Sequence, residues 1–270
     1  MKKILLVLTI VSSFLCGATL EQILAKKTIR IAVDPDMPPF SSCSATGCEG
    51  FEADFAKKLG KGIVGSDGKV EIHHYKMADV FNALQSDKID VIIQTVSKTK
   101  EREKIVDFAM PYFSIAGGLL VKKNSPIKDP ADLKDITIAV EKGTTEEEYF
   151  KLKGNVKLVY ATSSSDAYKM VKNGEVDGYA SDNLIVLAYP IFDDSVEVPK
   201  GLRNIGAVEY LAPVVSKGNN ELKDAVNKVM IKFSKEKLFR HMYEDNIGIF
   251  YRNTLNPNQF LLEELYRMYG

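Results

Sequence analysis

Short runs of β-branched and apolar residues alternate with amphipathic helical stretches along most of this chain, and few folds accept that alternation. "TIRIAV" (28–33) reads as a strand, and "FEADFAKKLGKGI" (51–63) as a helix carrying Phe51, Phe55 and Leu59 on one face. "KVEIHHY" (69–75) is a strand, "MADVFNALQSDK" (77–88) a helix and "IDVIIQT" (89–95) a buried strand. A second set repeats the logic with strands at 135–140, 156–161 and 176–181, and helices at 144–153, 163–174 and 182–190. Strands separated by helices predict an α/β fold with largely parallel sheets.

Between the sets lies "GGLLVKKNSP" (117–126), and "VEYLAPVVSKGN" (208–219) repeats its character before a helix over 220–238. Two such crossings predict two lobes: 19–116, then 117–210, then a return to the first lobe over 211–270. A final helix is expected to pack its Phe260, Leu261, Leu265 and Met268 stripe on its own lobe. At 270 residues the chain is long enough for two such cores.

The N-terminus "MKKILLVLTIVSSFLCGA" has two lysines, an apolar run and small residues, the layout of a secretory signal peptide over 1–18. Leu15 before Cys16 argues against a lipoprotein signal. Lys+Arg and Asp+Glu each number 36, and removing Lys2 and Lys3 leaves a net charge of −2. No basic field for nucleic acid is expected. In an exported chain, Cys43 and Cys48 of "CSATGC" form a natural disulfide pair. His73 and His74 lie in another segment, so no metal site is expected. "GKGIVGSDGK" is glycine-rich without P-loop spacing and reads as a turn, and no cofactor fingerprint is present.

Seven stretches in register carry a resemblance: "IRIAVDPDMPPF", "GFEADFAKKLG", "FNALQSDKIDVIIQTVSKTKERE", "VDFAMPYF", "AVEKGTTEEEY", "NGEVDGYASDN" and "NNELKDAVNKVM". Over residues 28 to 245 the chain resembles the periplasmic amino-acid-binding proteins of ABC importers. The resemblance implies a type II clamshell, two α/β lobes joined by a two-stranded hinge, with an amino acid held between them. It implies a periplasmic monomer that delivers its ligand to a membrane permease.

The resemblance places Arg102 on the α-carboxylate of the ligand, where a planar guanidinium can donate two parallel bonds. Thr95 and Ser97 fall on the loop that meets the ammonium and carboxylate. Thr144 and Thr145 open a helix whose free N–H groups suit the same carboxylate. Asp182 matches the aspartate that pairs with the ammonium, and the lesser alternative for it is the cap of the helix that follows. A zwitterion gripped by Arg102 on one lobe and Asp182 on the other is satisfied only when the lobes close.

Specificity departs from the commonest pattern. Met37 stands where an aromatic residue is usual, and Met77 falls on a second side-chain position. Asp34 and Glu141, if both face the cleft, would want a cation between them, which points to lysine, arginine, ornithine or histidine. Gln94 could instead read a polar amide. Two alternatives keep the scaffold: a cyclohexadienyl or arogenate dehydratase with Glu141 as general acid, and an amino-acid sensor that feeds no transporter.

Overall fold

The computed structural model describes residues 17–266. Residues 1–16 of the expected signal peptide, and Met268 of the expected terminal stripe, lie outside the described residues. Among the described residues no helix is long and apolar enough to cross a membrane.

Two mixed sheets form the two lobes. The first has the order Lys69–His74, Thr28–Val33, Val91–Ile92, Val214–Ser216, Val106–Phe108. Its first three strands run parallel, as the βαβ pattern requires, and Val214–Ser216 returns antiparallel. The second has the order Lys157–Ala161, Thr137–Glu141, Gly178–Asp182, Phe113–Lys122, Val196–Glu197, with Ile205–Leu211 also on Phe113–Lys122. Phe113 pairs with Leu211, and Gly117 with Ile205, so two antiparallel strands run side by side where the chain passes from one sheet to the other.

Local chemistry explains the helices. Phe51–Val64 has Glu52 and Asp54 in its first turn and Lys61 in its last, matching the helix dipole at both ends. It buries Phe51, Phe55, Ala56 and Leu59 completely. Thr144 caps Thr145–Lys153 by accepting from the Glu147 N–H, and Gly154 closes it at φ 71°. Ser163 and Gly174 do the same for Ser164–Asn173.

Phe55 packs edge-to-face on Tyr112 and on Phe239, both with ring centroids 5.1 Å away. Each such buried ring contributes on the order of 1.5–3 kcal/mol. The helix expected over 220–238 stops at Lys235, and Lys237 turns left-handed at φ 56°. The chain thereby restarts as Leu238–Tyr243, and Phe239 meets Phe55 and Phe233.

The strand expected over 89–95 is ordered only at Val91–Ile92, because the chain leaves the sheet to build the loop 93–97. The terminal segment is not one helix. Leu261 bridges to Phe113, the Leu262 N–H donates to the Tyr112 carbonyl, and among the described residues the segment is helical only over the short stretches Pro257–Gln259 and Glu263–Tyr266. Phe260 stacks on Phe113 at 5.7 Å, so the segment does pack on its own chain.

A third, small antiparallel sheet, Asp36–Met37, Ser41–Ser44 and Gly47–Glu49, was not apparent in the sequence pattern. Cys43 and Cys48 face each other across its hairpin and are disulfide-bonded, with Cα atoms 4.0 Å apart.

Candidate functional site

The carboxyl ends of the first lobe's parallel strands carry Asp34 and Gln94, and those of the second lobe's carry Glu141 and Asp182. Chain ends of this kind gather at one edge of an open sheet, where ligands commonly bind. Of the eleven residues expected at the site, all but Thr145 are more than nine-tenths buried.

Arg102 begins the short 3-10 helix Arg102–Lys104 and is 8 % exposed. Its Nη1 donates to the Ser97 carbonyl at 2.8 Å, and its Nη2 reaches the Gly143 carbonyl of the other lobe at 3.0 Å. The guanidinium lies over the Phe81 ring, 5.6 Å from the centroid. Burial lowers its pKa, opposed by Glu209, Glu148, Glu146 and Asp182. The arginine therefore spans the cleft rather than the solvent.

Asp182 ends the strand Gly178–Asp182 and occupies the cap position of Asn183–Ala188, but its side chain makes no capping bond. Its ordinary local role is unfilled. Burial pushes its carboxyl well above the usual range; Glu146, Glu209 and Glu52 push the same way, and Arg102 opposes them. Such a group gains from an incoming cation. Thr144 Oγ1 donates to the Glu141 carbonyl at 2.9 Å, and Thr145 Oγ1 donates to Glu209 Oε2 at 2.9 Å.

Asp34 follows the strand Thr28–Val33 and is 1 % exposed. It accepts from the Asp36 N–H at 2.8 Å, from Gln94 Nε2 at 3.1 Å and from Lys76 Nζ at 3.4 Å. Glu141 accepts from the Tyr179 hydroxyl at 3.1 Å. Burial and then Asp34 raise Glu141 to about 7, while Lys76 pulls it down. The two acids act on each other, and Lys76 of the same chain lies 3.4 Å from Asp34 and acts on both. Gln94 spends its amide on Asp34, leaving its buried Oε1 without a partner among the described residues.

Met77 lies against the opposite lobe: a Cβ at Gly143 would stand 3.6 Å from Met77 Cγ. It also belongs to an apolar cluster with Val80, Leu84 and Ile92. Met37 packs in the core that includes Phe40 and Phe51.

Residues 29–249 match the bacterial extracellular solute-binding proteins, family 3. The chain belongs to this family. Its fold is that of the type II binding proteins. Over 90 % of this family 3 chain it superposes on 99 % of the solute receptor for L-cysteine of Neisseria gonorrhoeae, at 35 % identity and a TM-score of 0.85. The cysteine-binding protein of Campylobacter jejuni gives the same TM-score at 28 % identity, over 90 % and 98 % of the two chains. A glutamine-binding protein of Geobacillus stearothermophilus is 34 % identical over 62 % of this chain and 66 % of its own, just under two thirds of that relative's length.

Two residues near these groups in this solute-binding protein escaped the sequence reading. Glu52 is wholly buried. Its Oε1 accepts from the Thr95 N–H at 2.6 Å and from the Tyr112 hydroxyl, while Oε2 has no partner among the described residues. Thr95 is thereby held at φ 22°, where a β-branched residue rarely sits. The signal was available: Glu52 is three, four and seven residues before the buried Phe55, Ala56 and Leu59, an acid on the core face of an amphipathic helix. Asp36 is the other omission. It accepts from Ser165 Oγ at 2.9 Å and from the Ser165 N–H at 3.3 Å, joining the lobes at the rim.

Burial holds Glu52, Glu141 and Glu146 each at about 7, against 4.5 when unperturbed. The folded protein binds these protons more tightly than the unfolded chain does. The stability they confer is therefore complete below the unfolded value and lost as pH rises through the folded one. Without ligand, the protein is expected to unfold at lower urea at about pH 8 than at about pH 5.5, and Glu52→Gln to flatten that slope. Equal urea midpoints at both pH values for the parent protein would contradict the burial of these acids.

Proposed function

We propose that this protein captures a polar L-amino acid between its lobes and delivers it to a membrane ABC permease. The observation that carries this is the meeting of Arg102 and Asp182. A buried cation from one lobe and a buried, uncapping carboxylate from the other sit within electrostatic reach, the complement of a zwitterion. The α-carboxylate goes to Arg102 and the free N–H groups that open Thr145–Lys153; the ammonium goes to Asp182 and the Thr95 loop. Residues 113–122 and 205–211 act as the hinge, with lobe boundaries near 116 and 211 and the segment after 211 returning to the first lobe. The protein works outside the cytoplasmic membrane as a monomer, and it performs no chemistry on its ligand.

The names of its relatives support the ligand class: two structural neighbours are described as binding cysteine, and a sequence relative as binding glutamine. A thermal-shift screen of refolded protein against the common amino acids, prephenate and arogenate tests the reading. At about 100 times Kd a ligand adds roughly 2.7 kcal/mol, on the order of 5–10 °C for a chain this size. A shift with an L-amino acid, absent for its α-keto acid, is expected. No shift with any amino acid, together with turnover of prephenate or arogenate, would give the cleft to an enzyme with Glu141 as its acid.

A further inference from the structure

We propose that Lys76 determines specificity: its ammonium stands where the cation of a basic ligand would lie, so the cleft takes neutral polar side chains and rejects lysine and arginine. The inference rests on the amino-acid reading of the cleft and narrows it.

Lys76 precedes the helix Met77–Gln85 with extended backbone and no side-chain capping bond. Its side chain is 29 % exposed and turns inward to Asp34, whose carboxylate is 1 % exposed. The acids of this region come from both lobes. Asp34 and Asp36 belong to the first lobe, and Glu141 reaches it from the second, where Lys76 acts on its carboxyl across the cleft. Asp34 already accepts three bonds, from Lys76, the Asp36 N–H and Gln94. A carboxylate has about four acceptor positions, so little is left for a ligand. Glu141, at about 7, accepts from Tyr179 and is substantially protonated at neutral pH. A second cation brought into this space would meet Lys76 at close range, and like charges forced together cost several kcal/mol, more than one added acid contact returns. A small uncharged polar group has no such opponent. Rejection by a built-in charge is a common route to discrimination.

Titration calorimetry of the parent protein and of Lys76→Met, with L-cysteine, L-glutamine, L-arginine and L-lysine, tests this. Methionine keeps the length of the stem and removes the charge. Far-UV circular dichroism and the melting temperature verify the fold, and Lys76→Gln serves if the methionine variant does not fold. The parent is expected to bind a neutral amino acid in preference to the basic pair. The variant should shift the ratio of affinities toward arginine or lysine by about tenfold or more, roughly 1.4 kcal/mol. A parent that prefers arginine or lysine, or a ratio unmoved by the substitution, overturns the role of Lys76. A parent that binds none of the four and no other amino acid overturns the amino-acid reading itself, and this inference with it.

Discussion

Arg102→Ala is expected to raise the ligand Kd by a factor on the order of a thousand, while leaving a folded protein. Truncating one member of a buried charge pair costs about 2–5 kcal/mol, with tenfold in affinity for each 1.4 kcal/mol. The larger end applies because Arg102 is nine-tenths buried and its guanidinium plane is fixed by the Ser97 carbonyl, the Gly143 carbonyl and the Phe81 ring. The fold should survive, since what the side chain holds in place is a loop and the facing lobe, not either apolar core. Arg102→Lys should recover little, because a point charge cannot reproduce the fork. Calorimetry with the ligand found in the screen is the measurement. An alanine variant that binds within a few-fold of the parent would remove Arg102 from the carboxylate.

The second large effect belongs to Glu52→Ala, and it acts on the fold as well as on binding. The substitution strands the Thr95 N–H and the Tyr112 hydroxyl, both buried, and opens a void beneath the loop 93–97. Each stranded donor costs about 1–3 kcal/mol, so a total of roughly 3–5 kcal/mol is expected. For a protein of this length that is on the order of 10 °C in Tm. Glu52→Gln separates the causes, because its carbonyl can still accept from both donors while the charge is gone. Its stability should match the parent near pH 5.5 and exceed it near pH 8, since Glu52 ionises at about 7. Ligand affinity should fall in the alanine variant, as Thr95 is released from φ 22°. Thermal melts at two pH values test this, and an alanine variant as stable as the parent would show that Glu52 does not clamp the loop.

These two residues show what was readable in advance. Arg102 was singled out because the family resemblance covers "SKTKERE" and places this residue at the ligand carboxylate. Glu52 sits in an equally readable segment, but a helix pattern reports only that a position faces inward. Which N–H comes to meet it depends on a loop 43 residues away. Asp34 and Glu141 stand at the ends of the strands their segments predict, but the groups that surround them there were not legible. The lysine beside Asp34 is 42 residues away along the chain, and no local pattern announces it.

The alternation of strand and helix, the helix starts near Thr144 and Ser163, and the Cys43–Cys48 pair were determined by sequence alone. Each depends on periodicity or on residues within a few positions of one another. The neutralisation of Asp34 by Lys76, the clamp on Thr95, the reach of Arg102 to Gly143 and the rim contact of Asp36 with Ser165 were decided only by tertiary structure. Charge compensation and hydrogen bonding fall off over a few ångströms, and those distances are set by how the sheets pack and not by order along the chain.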